Sequence, residues 1–439
     1  MTGGTWTIHN KVRPGVYINF NNAPQPLGAV GERGVVTMPL VLSWGEPKKV
    51  LSVEAGNGTT ELLGYPITAP QLLLVREALK RARTLLLYRV NEGAKASATA
   101  GELVATARYS GVRGNDIAIV VEANVDHPSL FDVRTLVDGT ETDVQTVADI
   151  AGLKPNAWVA WNASGALTAT AGVPLAGGSD GDAATSDYMD YLDAVETLEF
   201  QTMALPVSDA ELKGVFAAFV SHMRDGEGRK VQLVTANYAE ADYEGVISVK
   251  NGVVLSDGTA LTPEQATAWV AGATAAAGVN ASLTYAAYDG AVDASPRFTH
   301  SQTVAALNNG EFLFTGGAGR AIVEQDINTF TGYTPQKGRH FSKNRVMRVL
   351  DAINNDLARV FGSYFVGKVS NDADGRNLLK SECINYLSQL QSLGAITGFD
   401  SQSDIAIAPI EGQADGVYIE LNVQPVDAVE KIYIRVEVR

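Results

Sequence analysis

Hydrophobic residues change their spacing several times along this 439-residue chain, and each change marks a different kind of element. Near the start, Val16, Ile18 and Phe20 alternate with Tyr17 and Asn19, the period-two signature of a strand. Pro14, Pro24 and Pro26 forbid a continuous helix around it, so residues 1–28 read as an extended arm whose strand has no obvious partner nearby. Residues 34–42 read as a buried strand. Thr68 and Pro70 open a helix carrying Leu72, Val75, Leu79 and Ala82 on one face, and 84–90 is again a strand; these form a first core segment over 29–92. Over 93–178 the pattern becomes short β runs, among them 117–121 and 158–161, with a turn at Asp138-Gly139. That texture predicts a small β-rich insertion domain.

From 179 to 335 helical and strand spacings alternate. A helix with Tyr188, Leu192, Val195 and Leu198 precedes a strand at 202–207, and one with Leu212, Val215, Phe216 and Phe219 precedes 230–234. Thr262-Pro263-Glu264 opens a third, carrying Trp269 and Val270. Such alternation predicts a largely parallel sheet with helices on its faces, interrupted by one hairpin turned at Asn251-Gly252. Over 336–414, Val346, Leu350, Ile353, Leu357 and Val360 follow helical spacing, as do Leu379, Cys383, Leu387 and Leu390. Period two returns over 415–439: Val417, Ile419, Leu421 and Val423 alternate with polar neighbours, then Ile432, Ile434, Val436 and Val438 with Tyr433, Arg435 and Glu437. The fold class is therefore multi-domain α/β, with a β-rich insertion, an α+β C-terminal domain and extended terminal arms.

An isolated strand exposes unpaired N–H and C=O groups, which is an aggregation liability unless a defined partner takes them. Strand addition to another chain supplies that partner through main-chain hydrogen bonds, with alternate side chains setting the register. The contact joins unlike surfaces of identical subunits, so repetition grows a helix or stacked rings.

Composition narrows the classes. An apolar fraction of 46% with 19% charged residues describes a folded protein, and a mean hydropathy of +0.01 suits a subunit that buries surface against its own copies. The net charge of −15 argues against direct nucleic-acid binding. Cys383 is the only cysteine, so no intrachain disulfide forms, which fits assembly in a reducing cytoplasm. Met1–Trp6 lacks the flank of a signal peptide, and no run approaches the roughly 20 apolar residues that span a bilayer, so neither export by that route nor membrane embedding is expected.

Four segments, in order, resemble the contractile tail sheath proteins of phages and phage-derived bacteriocins: Arg13-Pro14-Gly15-Val16-Tyr17; 31–36 leading into Pro39-Leu40 and Trp44-Gly45; 174–181; and the ending from Val417 through Pro425 to Val438. The resemblance implies a central α/β domain of subtilisin-like topology without protease activity. It also implies that the N- and C-terminal arms are donated to neighbouring subunits, where they add strands to a sheet in the C-terminal domain. The expected function is then a non-enzymatic subunit that polymerises helically around an inner tail tube and contracts to drive it through a bacterial envelope, in a virion tail or bacteriocin particle assembled in the host cytoplasm. The expected partners are copies of itself, the tube protein, and baseplate and tail terminator proteins. The arm strands are Val16, Tyr17, Ile18 and Phe20 at one end and Ile432, Ile434, Val436 and Val438 at the other. Gly28, Gly31, Asp415 and Gly416 are the expected joints.

Two readings from other classes remain: another tail component, such as a baseplate or tube protein, and a serine hydrolase. A tube subunit would be shorter and mostly β, which the alternating segment counts against. Gly177-Gly178-Ser179-Asp180-Gly181 formally satisfies G-x-S-x-G. Asp180 and Asp182 beside Ser179 disfavour an alkoxide, however, and no oxyanion segment is present, so a flexible acidic hinge is expected there. The five histidines have no metal-ligand spacing, and the glycine-rich 316–320 lacks the lysine of a phosphate loop, so neither metal nor cofactor is expected. Lys337, Arg339, Lys343, Arg345 and Arg348 cluster in an otherwise acidic chain. They read either as a solvated helix face or as a surface gripping an acidic tube.

Overall fold

The computed structural model describes residues 30–438 and two short backbone segments, Gly3–Gly4 and Val16–Tyr17, which pair in parallel. The chain divides into two compact units, one holding 31–355 together with 425–439, the other built on 356–424.

The first unit is organised on a seven-stranded sheet. In spatial order its strands are Glu311–Phe312, Val246–Val249, Gln232–Ala236, Thr202–Leu205, Val35–Leu40, Thr84–Arg89 and Val50–Glu54. Every neighbouring pair is parallel except the last, where Val50–Glu54 runs antiparallel at the edge. The segments 29–92 and 179–335 thus share one sheet, with the β-rich segment inserted between them. The central strands are buried along their whole length, as parallel strands covered on both faces must be. Successive side chains serve opposite layers. Ala204 and Val234 face the core under helices Leu73–Leu79 and Pro263–Ala276. Met203, Leu205 and Leu233 face the core under Thr185–Glu196 and Ala210–Ser221.

Helix Pro263–Ala276 begins where its sequence predicts, with Thr262 and Gln265 capping each other and Pro263 at the first position. It lies against Leu73–Leu79 closely enough that a Cβ at Gly272 would sit 2.3 Å from the Ala78 carbonyl oxygen. Two local expectations fail. Thr68 does not cap: the segment enters through a 3-10 turn, Pro70–Leu72, whose N-cap is Ala69. Asn251-Gly252 is not a hairpin turn, because Gly252–Leu255 pairs with the distant Ala291–Ser295. Asn251 is fully buried instead. Its side chain donates to the carbonyls of Pro296 and Phe314 and accepts the Phe314 N–H, so the amide serves the backbone of other strands rather than its own turn.

The insertion is a β-sandwich. A four-stranded antiparallel sheet (Thr140–Val147, Phe131–Val137, Ile117–Ala123, Thr170–Pro174) and a three-stranded one (Val159–Trp161, Leu103–Ala107, Ser97–Ala100) enclose one core that includes Ile119, Val133, Leu103 and Trp158. The Asp138-Gly139 turn forms as predicted, both residues at positive φ (52° and 75°). Ser179 and Asp180 stand where the sandwich returns to the sheet, and this junction is packed rather than flexible. Asp180 accepts from the Val112 N–H and the Ser43 hydroxyl, its carbonyl accepts from Asn91, and Ser179 Oγ accepts from the Ala94 N–H. A Cβ at Gly93 would collide with Ser179 and Asp180 backbone, so the glycines permit contact here instead of motion.

In the second unit, helix Ala373–Ser392 buries Cys383, Tyr386, Leu387 and Leu390, and Tyr386 OH bonds Asp356 at 2.9 Å. Burial pushes the Cys383 thiol up to about 11, leaving it without reactive thiolate near neutral pH. The strands Ile405–Ile410 and Gln413–Leu421 form an antiparallel hairpin.

Candidate assembly interface

Past Gln424 the chain is extended. Val426, Ala428 and Glu430 are half-buried while Asp427 and Val429 face solvent, the alternation of a strand lying on a surface. From 431 to 438 every residue is exposed and none is in a ladder. Ile432, Ile434, Val436 and Val438 are 76%, 80%, 79% and 94% exposed. Arg435 and Glu437 pair at 3.0 Å two residues apart, as same-side neighbours of an extended chain do.

Glu430 pegs this arm to the first unit. Its carboxylate accepts from Thr284 Oγ1 (2.8 Å), Gln325 Nε2 and Lys343 Nζ, with Glu430 and Lys343 both nearly buried. Thr284 Oγ1 also accepts the Asp326 N–H. Asp326 is held in turn by Arg348 Nη2, Asn344 Nδ2 and the Leu283 N–H, each at 2.9 Å, and Arg348 Nη1 donates to the Ala281 carbonyl. Arg348 and Asp326 side chains are each 1% exposed. A continuous hydrogen-bonded chain therefore runs from a buried ion pair to the root of the arm.

Burial pushes the Glu430 carboxyl upward, but the bonds from Lys343, Gln325 and Thr284, with the Lys343 charge, outweigh it and hold the group below the ordinary glutamate value. A carboxylate depressed in the folded state contributes stability above its unfolded pKa and loses it as pH falls through the folded one. The arm root is thus expected to be locked at neutral pH and to loosen below the ordinary glutamate range of about 4.3. After correction for the intrinsic slowing of amide exchange in acid, protection around the arm root should fall on acidification in the native chain, and Glu430→Gln should flatten that fall when compared at matched pH.

The arm's exposed Ile432, Ile434, Val436 and Val438 lie together on one extended segment. Ile18, Phe20 and Gly28 fall outside the described residues, and Val16–Tyr17 is described only in its backbone pairing with Gly3–Gly4. Gly31 is half-buried at the start of the first unit. Asp415 and Gly416 are not a joint. They lie inside Gln413–Leu421, in a bulge between the pairs Pro409–Val417 and Ile410–Gln413, and Asn371 pins that bulge by donating to the carbonyls of Ala414 and Gly416. The five basic residues do not form one face. Lys343 and Arg348 are buried in the network just described, Arg345 is half-buried, Lys337 pairs with Glu244, and Arg339 is exposed. Burial excludes Lys343 and Arg348 from any surface grip. Sequence reading missed Glu430, Gln325, Thr284 and Asp326. One signal was present: Glu430 sits in phase with Val426, Ala428, Ile432 and Ile434, a charge at an inward position of an apolar series.

Comparison with known proteins agrees along nearly the whole chain. Residues 33–90 match the tail sheath protein Gp18 domain III N-terminal region, 91–180 the phage tail sheath protein beta-sandwich domain, 181–329 the phage tail sheath protein central domain and 336–439 the phage tail sheath C-terminal domain. The phage-like element PBSX protein XkdK of Bacillus subtilis (strain 168) is 44% identical over the full length of both chains. The crystal structure of a sheath tail protein from Desulfitobacterium hafniense is 58% identical, with a TM-score of 0.87 over 97% of this chain and 100% of that one. The helical sheath of the anti-feeding prophage in its contracted state shares the fold at 14% identity, with a TM-score of 0.58 over 98% of this chain and 99% of that one. From its sheet, its sandwich and its C-terminal unit alike, the chain belongs to the phage tail sheath family.

Proposed function

We propose that this sheath subunit polymerises helically around an inner tail tube and contracts to drive the tube through a bacterial envelope, each subunit linked to the next by strand addition of its arms. The observation that carries this reading is the C-terminal arm: an anchored root followed by an exposed, unladdered segment at 431–438 whose apolar residues alternate. Burying Ile432, Ile434, Val436 and Val438 in a neighbour contributes up to about 1.5–3 kcal/mol for each side chain, and the main-chain bonds supply register. A suitable acceptor exists in the second unit, since the hairpin of Ile405–Ile410 and Gln413–Leu421 has only two strands among the described residues and so offers open edges.

On this reading the partners are other copies of the chain, the tube, and the baseplate and terminator at its ends, in a virion tail or bacteriocin-type particle built in the host cytoplasm. The domain division follows the same scheme, with a subtilisin-like scaffold at 179–335 that does no chemistry. Ser179, its hydroxyl bonded to a backbone amide within a packed junction, supports a structural role for that segment. The tube-facing role falls to Lys337, Arg339 and Arg345, and contacts of that kind weaken with salt. Energy for contraction would reside in a metastable assembled lattice. Negative-stain microscopy of the purified chain, with and without tube protein, tests the reading. It predicts cylinders, and a chain that stays monomeric under all assembly conditions refutes it.

A further inference from the structure

We propose that His222, Glu196 and Glu227 form a binding site for a divalent transition metal of the zinc class, stapling two helices of the first unit. His222 Nε2 lies 3.8 Å from a carboxylate oxygen of Glu196 and 3.8 Å from Oε1 of Glu227, and the three ligand atoms all fall within 4.8 Å of one another. At 3.8 Å the imidazole is beyond hydrogen-bonding distance of both carboxylates. The spacing is that of ligands around an ion: a centre among these atoms lies about 2.0–2.5 Å from each, which brackets zinc–nitrogen and zinc–oxygen bond lengths. Two carboxylates held this close also repel each other unless a cation sits between them. An imidazole with two carboxylates suits zinc-class ions better than magnesium or calcium, which take oxygen alone.

The fold builds the arrangement deliberately enough to be read. Glu196 ends helix Thr185–Glu196. Helix Ala210–Ser221 runs into a π turn, His222–Gly226, closed by the Glu227 N–H donating to the His222 carbonyl at 3.1 Å. In a regular α-helix, residues five apart point about 140° from one another, and the extra residue of a π turn brings them together. Gly226 leaves space for the ring, since a Cβ there would lie 2.9 Å from His222 Nδ1. Arg229 is the nearest competing cation, but it approaches the other Glu227 oxygen, Oε2, at 3.6 Å and spends its hydrogen bonds on the carbonyls of Glu196 and Leu198. Oε1 is left to the ion, and water completes the coordination on the exposed side. The signal escapes chain-order motifs because His and Glu are spaced for a π turn, with the third ligand a helix away.

The test uses the full-length chain, stripped with a chelator and titrated with Zn²⁺ by calorimetry, with Co²⁺ absorption as a second readout. The expected result is one saturable site per chain, weakened at least about tenfold by His222→Gln or Glu227→Gln and unchanged by His127→Gln at an unrelated exposed histidine. Saturating Zn²⁺ should raise Tm by about 2–4 °C in the native chain only. His222 is 59% exposed, so its replacement does not threaten folding. Equal zinc binding by native and His222→Gln chains, or no saturable binding by the native chain, overturns the proposal.

Discussion

Deleting residues 431–439 is expected to leave the subunit folded and to abolish its assembly into cylinders. Residues 431–438 are exposed throughout and belong to none of the cores, so their removal costs the isolated subunit almost nothing: Tm should stay within about 1 °C of the native value. On the proposed strand-addition reading, assembly would lose the four apolar side chains and the main-chain bonds that align them. Single substitutions should report the alternation. Ile434→Asp places a charge on the side carrying Ile432, Val436 and Val438, and should reduce assembly at least about a hundredfold, since burying an unpaired charge costs several kcal/mol. Arg435→Asp changes the opposite side and should have a much smaller effect. Equal effects at the two positions would mean that the arm does not bind as a strand. Size-exclusion chromatography with negative-stain microscopy reads both variants.

The second large effect lies beneath the arm. Arg348→Ala is expected to destabilise the first unit by about 3–5 kcal/mol, because it leaves the Asp326 carboxylate buried without its guanidinium. Asp326 keeps the Leu283 N–H and the Asn344 amide, which accounts for a finite cost rather than outright loss of the fold. Arg348→Glu, which sets a second carboxylate beside the first, should prevent folding. Denaturant titration measures the first and soluble yield the second. The contrast with a surface role is sharp. A tube-gripping arginine would tolerate either change in the free subunit, and wild-type stability in Arg348→Ala would restore that reading.

The failures and successes of sequence reading share a cause. Elements governed by local chemistry were legible: the Thr262-Pro263-Glu264 helix start, the Asp138-Gly139 turn and the helical series Val346–Val360. Positions whose role depends on distant chain were not. Asn251-Gly252 has the composition of a hairpin turn, yet tertiary contacts with Pro296 and Phe314 recruit the asparagine. Asp415-Gly416 has the composition of a joint, yet it lies in a strand bulge whose carbonyls Asn371 binds from outside the hairpin. Lys343 and Arg348 look like surface cations because burial of a charge is invisible until its partner is placed, and both partners, Glu430 and Asp326, are far off or inconspicuous in sequence.

On the proposed reading, the C-terminal segment 431–438 finds its hydrogen-bonding partner in another copy of the molecule. A high-resolution cryo-EM map of the assembled particle, traced from Pro425 to the last residue, tests it most directly. The expected trace has the segment 431–438 laddered onto the Ile405–Leu421 hairpin of a different subunit, with Glu430 still pegged to its own Lys343. A trace in which the segment folds back onto its own subunit would contradict it.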